Sequence, residues 1–160
     1  MQHSLEIKYQ IISHLKDLEE GEQSLMLKAR EALDNAYAPY SGFAVAAALE
    51  LTDGTVLIGT NQENASYGLC LCAEQNVLAH AGANFHDTPI RKMAITARSS
   101  LRIIDHPISP CGACRQVISE HEDRHAYPIK ILLQGEKGDI LIFDSIKDLL
   151  PFSFSGNDLG

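Results

Sequence analysis

Three cysteines and a glutamate fall in two short runs that lie far apart along the chain. Cys72-Ala73-Glu74 comes mid-chain, and Pro110-Cys111-Gly112-Ala113-Cys114 follows about forty residues later. Three thiols suit a zinc ion, which normally takes four ligands, and they leave one position open to water. An open zinc site with a carboxylate beside it points to hydrolysis rather than to a structural staple. Any fold that uses this set has to bring the two runs to one point.

Each piece also has a plainer reading. A Cys-x-x-Cys pair alone serves redox chemistry as readily as metal binding. Cys72 alone would be a core cysteine, and Glu74 alone a solvated helix residue. Their order, Cys-x-Glu and then Pro-Cys-x-x-Cys, is the mark of zinc-dependent nucleobase deaminases and moves the balance to zinc. Cys111 and Cys114 stand at i and i+3, on one face of a helix. Ser109 is the expected cap of that helix, with Pro110 at its first position and Cys111–Glu120 as its body. The positive end of the helix dipole favours thiolates there. Cys72 and Glu74 are two apart, so both face one metal only if Cys72 stands at a helix start where the backbone is not yet helical.

Length and charge narrow the substrate. The chain has 160 residues, 45% of them apolar, enough for one packed domain. Its net charge of −8 sets it against a phosphate backbone and favours a small uncharged substrate over a polynucleotide. The longest apolar run, Phe43 to Leu49, is too short to span a bilayer. Met1-Gln2-His3-Ser4 leads into a charged stretch without the apolar segment of a secretory signal, so the expected home is the cytoplasm, where thiols stay reduced. The fourth cysteine, Cys70, is read as a small buried hydrophobe.

Leu5, Ile11, Ile12, Leu15 and Leu18 recur at helical spacing, and residues 1–23 are read as an extra N-terminal helix. Residues 24–160 are read as a single domain whose first helix is capped by Ser24. Phe43–Leu51 and Thr55–Thr60 flank Asp53-Gly54 as a hairpin. A helix from about Cys72 to Ala81 is expected to end at Gly82. Strands are expected over Lys92–Ala97, Ile129–Gln134 and Ile140–Phe143, with a short last helix over Ser145–Leu149. Strands alternating with helices make an α/β chain, with a mixed sheet between helices.

Four ordered motifs carry a family resemblance. Ala36-Tyr37-Ala38-Pro39-Tyr40-Ser41-Gly42-Phe43-Ala44-Val45 comes first. Asn61-Gln62-Glu63-Asn64-Ala65-Ser66-Tyr67-Gly68 is next. Ser109-Pro110-Cys111-Gly112-Ala113-Cys114-Arg115-Gln116 and the tail Leu149-Leu150-Pro151-Phe152-Ser153-Phe154-Ser155 complete the set. From about residue 25 to about 158 the chain resembles the small, homotetrameric, three-cysteine cytidine deaminases. The resemblance implies a three-layer α/β/α sandwich with a mixed, about five-stranded sheet. It implies hydrolytic deamination of cytidine, and of deoxycytidine, in pyrimidine salvage. One Zn2+ per chain would be held by Cys72, Cys111 and Cys114, with Glu74 as proton shuttle. Phe43 would pack on the pyrimidine, Asn61 and Glu63 would bind the ribose 3′-hydroxyl, and Phe154 would reach a neighbouring subunit's site. The partner is then a small pyrimidine nucleoside, with no nucleic acid and no membrane, in a homotetramer with shared sites. Gln75 departs from the arginine usual at that place, and Ala46 from a usual glycine. Two other readings compete: deamination of a modified cytosine nucleoside such as an aminoacyl-nucleoside antibiotic, and a non-catalytic zinc module.

Overall fold

The computed structural model describes residues 1–159. Six strands and three α-helices follow in the order β1 (Gln10–Ile12), α1 (Glu20–Ala32), β2 (Phe43–Leu51), β3 (Val56–Thr60), α2 (Ala73–Asn84), β4 (Ile90–Ser99), α3 (Gly112–His125), β5 (Lys130–Leu133) and β6 (Ile140–Phe143). The strands form one mixed sheet, ordered β1-β6-β5-β4-β2-β3. Only β4 and β5 run parallel, and α3 makes the crossover between them, as parallel neighbours require.

The sheet has helices on both faces. Alternate residues of β2 show why. Ala47, Leu49 and Leu51 pack with Val77, Leu78 and Ile118 of α2 and α3. Ala48 packs instead with Leu25, Met26 and Ala29 of α1. Side chains that alternate across a strand thus meet a different helix layer on each face. Ala46, Ala47 and Ala48 are all fully buried, and their small side chains let both layers approach closely. Glu22 of α1 is buried beside Lys130 of β5 at 2.9 Å, which ties the α1 layer to the sheet centre. Gly54 closes the β2–β3 hairpin at φ 89°, in the left-handed region glycine favours.

The N-terminal region differs from the expected helix. Residues 10–12 are a strand, with Gln10 opposite Ile142 and Ile12 opposite Ile140. The free edge of β6 supplies the reason, since its unpaired backbone groups take up a passing strand. Tyr9 stacks on Phe143 at 5.7 Å, while Ile12, Leu15 and Leu18 pack towards α1. Helix α1 then starts at Glu20 with Glu19 as its cap residue, not at Ser24, so a boundary at residue 23 would cut the helix. The sheet accordingly has six strands rather than about five.

Two features aim the site. Gly59 on β3 lies against the first turn of α2, where an added Cβ would stand 2.7 Å from the Ala73 carbonyl oxygen. Asn76 Nδ2 donates to the Thr60 carbonyl at 3.1 Å and pins the same turn to β3. The start of α2 is therefore held by backbone contact, not by loop packing.

His121 of α3 is nearly buried and faces Gly82 of α2. Burial, aided by the charges of Arg124 and His125, pulls its pKa down to about 4. The unfolded chain holds this proton up to about 6.5, so between these values the unfolded state binds more protons than the native one. Stability then falls as pH falls through that window. In the zinc-loaded protein, His121→Gln should remove on the order of 1–3 kcal/mol of the acid-side loss, read as a flatter melting temperature from pH 7 to pH 4. Equal slopes for the two proteins would contradict this.

Candidate active site

Two helix starts meet at one point. Cys72 is the N-cap residue of α2 and Cys111 that of α3, both with extended backbone. Cys72 thus stands just outside the helix, as shared facing with Glu74 demands. On α3 the cap is the thiol itself: Cys111 Sγ accepts from the Cys114 backbone N–H at 3.5 Å, two residues beyond the expected Ser109. A sulfur takes the place of the usual Ser or Asp oxygen at an unsatisfied helix N–H.

The three sulfurs of Cys72, Cys111 and Cys114 all lie within 4.8 Å of one another, and Cys111 and Cys114 are 3.4 Å apart. A tetrahedral zinc with Zn–S near 2.3 Å needs sulfurs about 3.8 Å apart, so the cluster fits the ion. Proton affinities agree. The neighbouring Cys114 holds the Cys72 pKa down to about 7, while the neighbouring Cys72 and burial push Cys114 far up.

Beside the sulfurs opens a cavity of about 300 Å³. Cys72, Cys111 and Glu74 line it together with Phe43, Asn61 and Glu63. Glu74 is 5% exposed, and burial raises its pKa towards neutrality. Asn61 holds the opposite wall. Its Oδ1 accepts from Val45 N at 2.8 Å and its Nδ2 donates to the Phe43 carbonyl at 2.9 Å, which fixes the start of β2 and with it the Phe43 ring. One amide hydrogen remains free for a ligand. Glu63 Oε2 accepts from the backbone N–H of Tyr40 at 2.8 Å and of Ser41 at 3.3 Å, which orient the carboxylate; the Ser41 side chain and then these N–H groups lower its pKa.

Phe154 does not line this cavity, and its ring is 59% exposed. Cys70 is exposed, not buried: it lines the cavity, and its backbone is extended. The i, i+2 spacing to Cys72 in extended chain gives the reason, since alternate residues there share a side. That spacing was the one sequence signal for Cys70. Arg115, a candidate partner for the thiolates by position, points elsewhere: its Nε donates to the Pro110 carbonyl at 2.9 Å. Gln75 makes no side-chain hydrogen bond among the described residues.

Residues 19–128 match the cytidine and deoxycytidylate deaminase zinc-binding region. The chain belongs to this family. A cytidine deaminase from Halalkalibacterium halodurans is 40% identical over 139 residues, which cover 86% of this chain and 96% of the relative. One from Mycobacterium tuberculosis is 35% identical over 134 residues, 82% of this chain and 87% of the relative. The crystal structure of cytidine deaminase from Burkholderia pseudomallei superposes with a TM-score of 0.71 at 41% identity, covering 82% of this chain and 97% of that one. Zinc is the metal of the family, and the Cys72–Cys111–Cys114 cluster of this member is able to hold it.

Purified protein should carry about one zinc per chain by elemental analysis. Cys72→Ala, Cys111→Ala and Cys114→Ala should each lose it, and Cys70→Ala should keep it. Full occupancy in Cys72→Ala would remove that residue from the ligand set.

Proposed function

We propose that this chain hydrolyses cytidine, and deoxycytidine, to the uracil nucleoside and ammonia, as an enzyme of pyrimidine salvage. The supporting observation is a cavity that joins a buried carboxylate, a three-thiol cluster and an aromatic wall. Zinc, when held by Cys72, Cys111 and Cys114, supplies the Lewis acidity that makes water nucleophilic near neutral pH. Phe43 stacks on the pyrimidine and Asn61 fixes that ring's place. Asn61 and Glu63 hold the ribose 3′-hydroxyl, with the oriented carboxylate as acceptor.

Glu74 moves the protons. It takes one from the attacking water as oxygen bonds to C4 and delivers it to N3. It passes the water's second proton to the amine, the C4–N bond breaks, and ammonia leaves. A carboxyl raised by burial suits both halves, because its pKa lies closer to the working pH. Water and nucleoside in, keto nucleoside and ammonia out, balances without another reactant. No helix among the described residues is long and apolar enough to cross a membrane. The reading places the enzyme in the cytoplasm as a homotetramer with shared sites, in which Phe154 of one subunit closes the pocket of another. Its exposure and its absence from its own pocket support that.

Glu74→Gln keeps the shape and removes the base. Zinc should remain, and turnover of cytidine followed by ultraviolet absorbance should drop by roughly 10²–10⁴. Near-native turnover would overturn the role of Glu74.

The charge around the cavity selects between the two substrate classes of the family. Glu63 and Glu74 line it, and no Lys or Arg does among the described residues. A monophosphate would meet carboxylates and no cation, at a Coulomb cost of about 1–4 kcal/mol. Deoxycytidylate should therefore show kcat/KM at least ~10-fold below deoxycytidine at low salt. Equal values would show a cation brought in from outside the chain.

A further inference from the structure

The C-terminal tail is strapped along α3. Arg115 Nη1 donates to the Leu149 carbonyl at 2.7 Å. Lys147 Nζ donates to Ser119 Oγ at 2.7 Å and to Ser153 Oγ at 3.2 Å, and pairs with Asp123 at 2.9 Å. Gln116 Nε2 donates to the Phe154 carbonyl at 2.8 Å. The intervening Phe152 is 97% exposed at φ 58°, so its ring anchors nothing among the described residues. Gln116 is thus the side chain that holds the peptide of Phe154 itself.

The helix that does this is also the one that starts at Cys111 and carries Cys114. A single rigid element therefore carries two thiols of the cluster and holds the Phe154 carbonyl. A short tail left to itself samples many backbone states, and ordering it costs free energy each time substrate is enclosed. Holding it beforehand removes that cost from binding and leaves the chemical step alone.

We propose that Gln116 is a positioning residue: its hydrogen bond to the Phe154 carbonyl presents the phenyl ring, already placed, to the pocket of a neighbouring copy. The inference rests on the reading of Phe154 as the closing wall of a neighbour's site. Loss of one such bond is worth about three- to tenfold in equilibrium, and here it falls on KM.

The test compares the native assembly with Gln116→Ala, Phe154→Ala, their double variant and Gln116→Lys, which keeps a donor on a long stem. KM and kcat for cytidine, zinc per chain and sedimentation mass are measured for each. Gln116→Ala should raise KM about three- to tenfold with kcat within twofold, and with zinc and mass unchanged. In the Phe154→Ala background it should add nothing, and Gln116→Lys should restore KM to near native. An unchanged KM in Gln116→Ala beside a raised KM in Phe154→Ala overturns the inference and leaves the shared site standing. A native KM in Phe154→Ala removes the shared site and the inference with it. Loss of zinc or of assembly in Gln116→Ala makes the residue structural and overturns the inference as well.

Discussion

Two helix N-termini converge on three sulfurs, and the rest of the architecture serves that meeting. Like ends of helix dipoles repel, so the arrangement needs negative charge between them. Thiolates would supply it, and the sulfurs stand where it is needed, with Cys111 capping α3 directly and Cys72 heading α2. The parallel β4–β5 pair sets the course of α3, and the contact of Gly59 with Ala73 sets the height of α2 on β3. The close approach at Gly59 leaves no room for a side chain between β3 and the start of α2.

The opposite side of the cavity is built on the same economy of parts. Asn61 spends most of its amide on the backbone of β2 and so turns a turn residue into the brace of an aromatic wall. Glu63 is aimed by two backbone N–H groups of the Tyr40–Ser41 turn. Side chains that line the cavity are here held by hydrogen bonds to main chain, which is stiffer than side chain and keeps the cavity preformed.

Much of this was legible in the sequence because the signals are local. The Cys-x-Glu and Cys-x-x-Cys spacings carry their own helix geometry, and β2 and β6 match their expected limits, Phe43–Leu51 and Ile140–Phe143. The N-terminus departs from its local pattern for a non-local reason. Leu5, Ile11, Ile12, Leu15 and Leu18 fit a helix roughly, but the partner of residues 10–12 lies about 130 positions away, and no local pattern announces it. Cys70 departs from the buried place usual for cysteine because the extended step to Cys72 decides where it goes. The cap of α3 was placed at Ser109 because oxygen is the usual acceptor, and a sulfur filled the role.

The short strand β1 has a consequence for the integrity of the chain. It covers the outer edge of β6, and Tyr9 lies over Phe143. A protease cut between Leu18 and Glu20 would free this cover from the rest of the chain. The bared β6 edge would then offer open backbone groups beside apolar side chains, the template on which strands from other molecules add. The first eighteen residues therefore shield this edge, and trimming them is expected to show as turbidity.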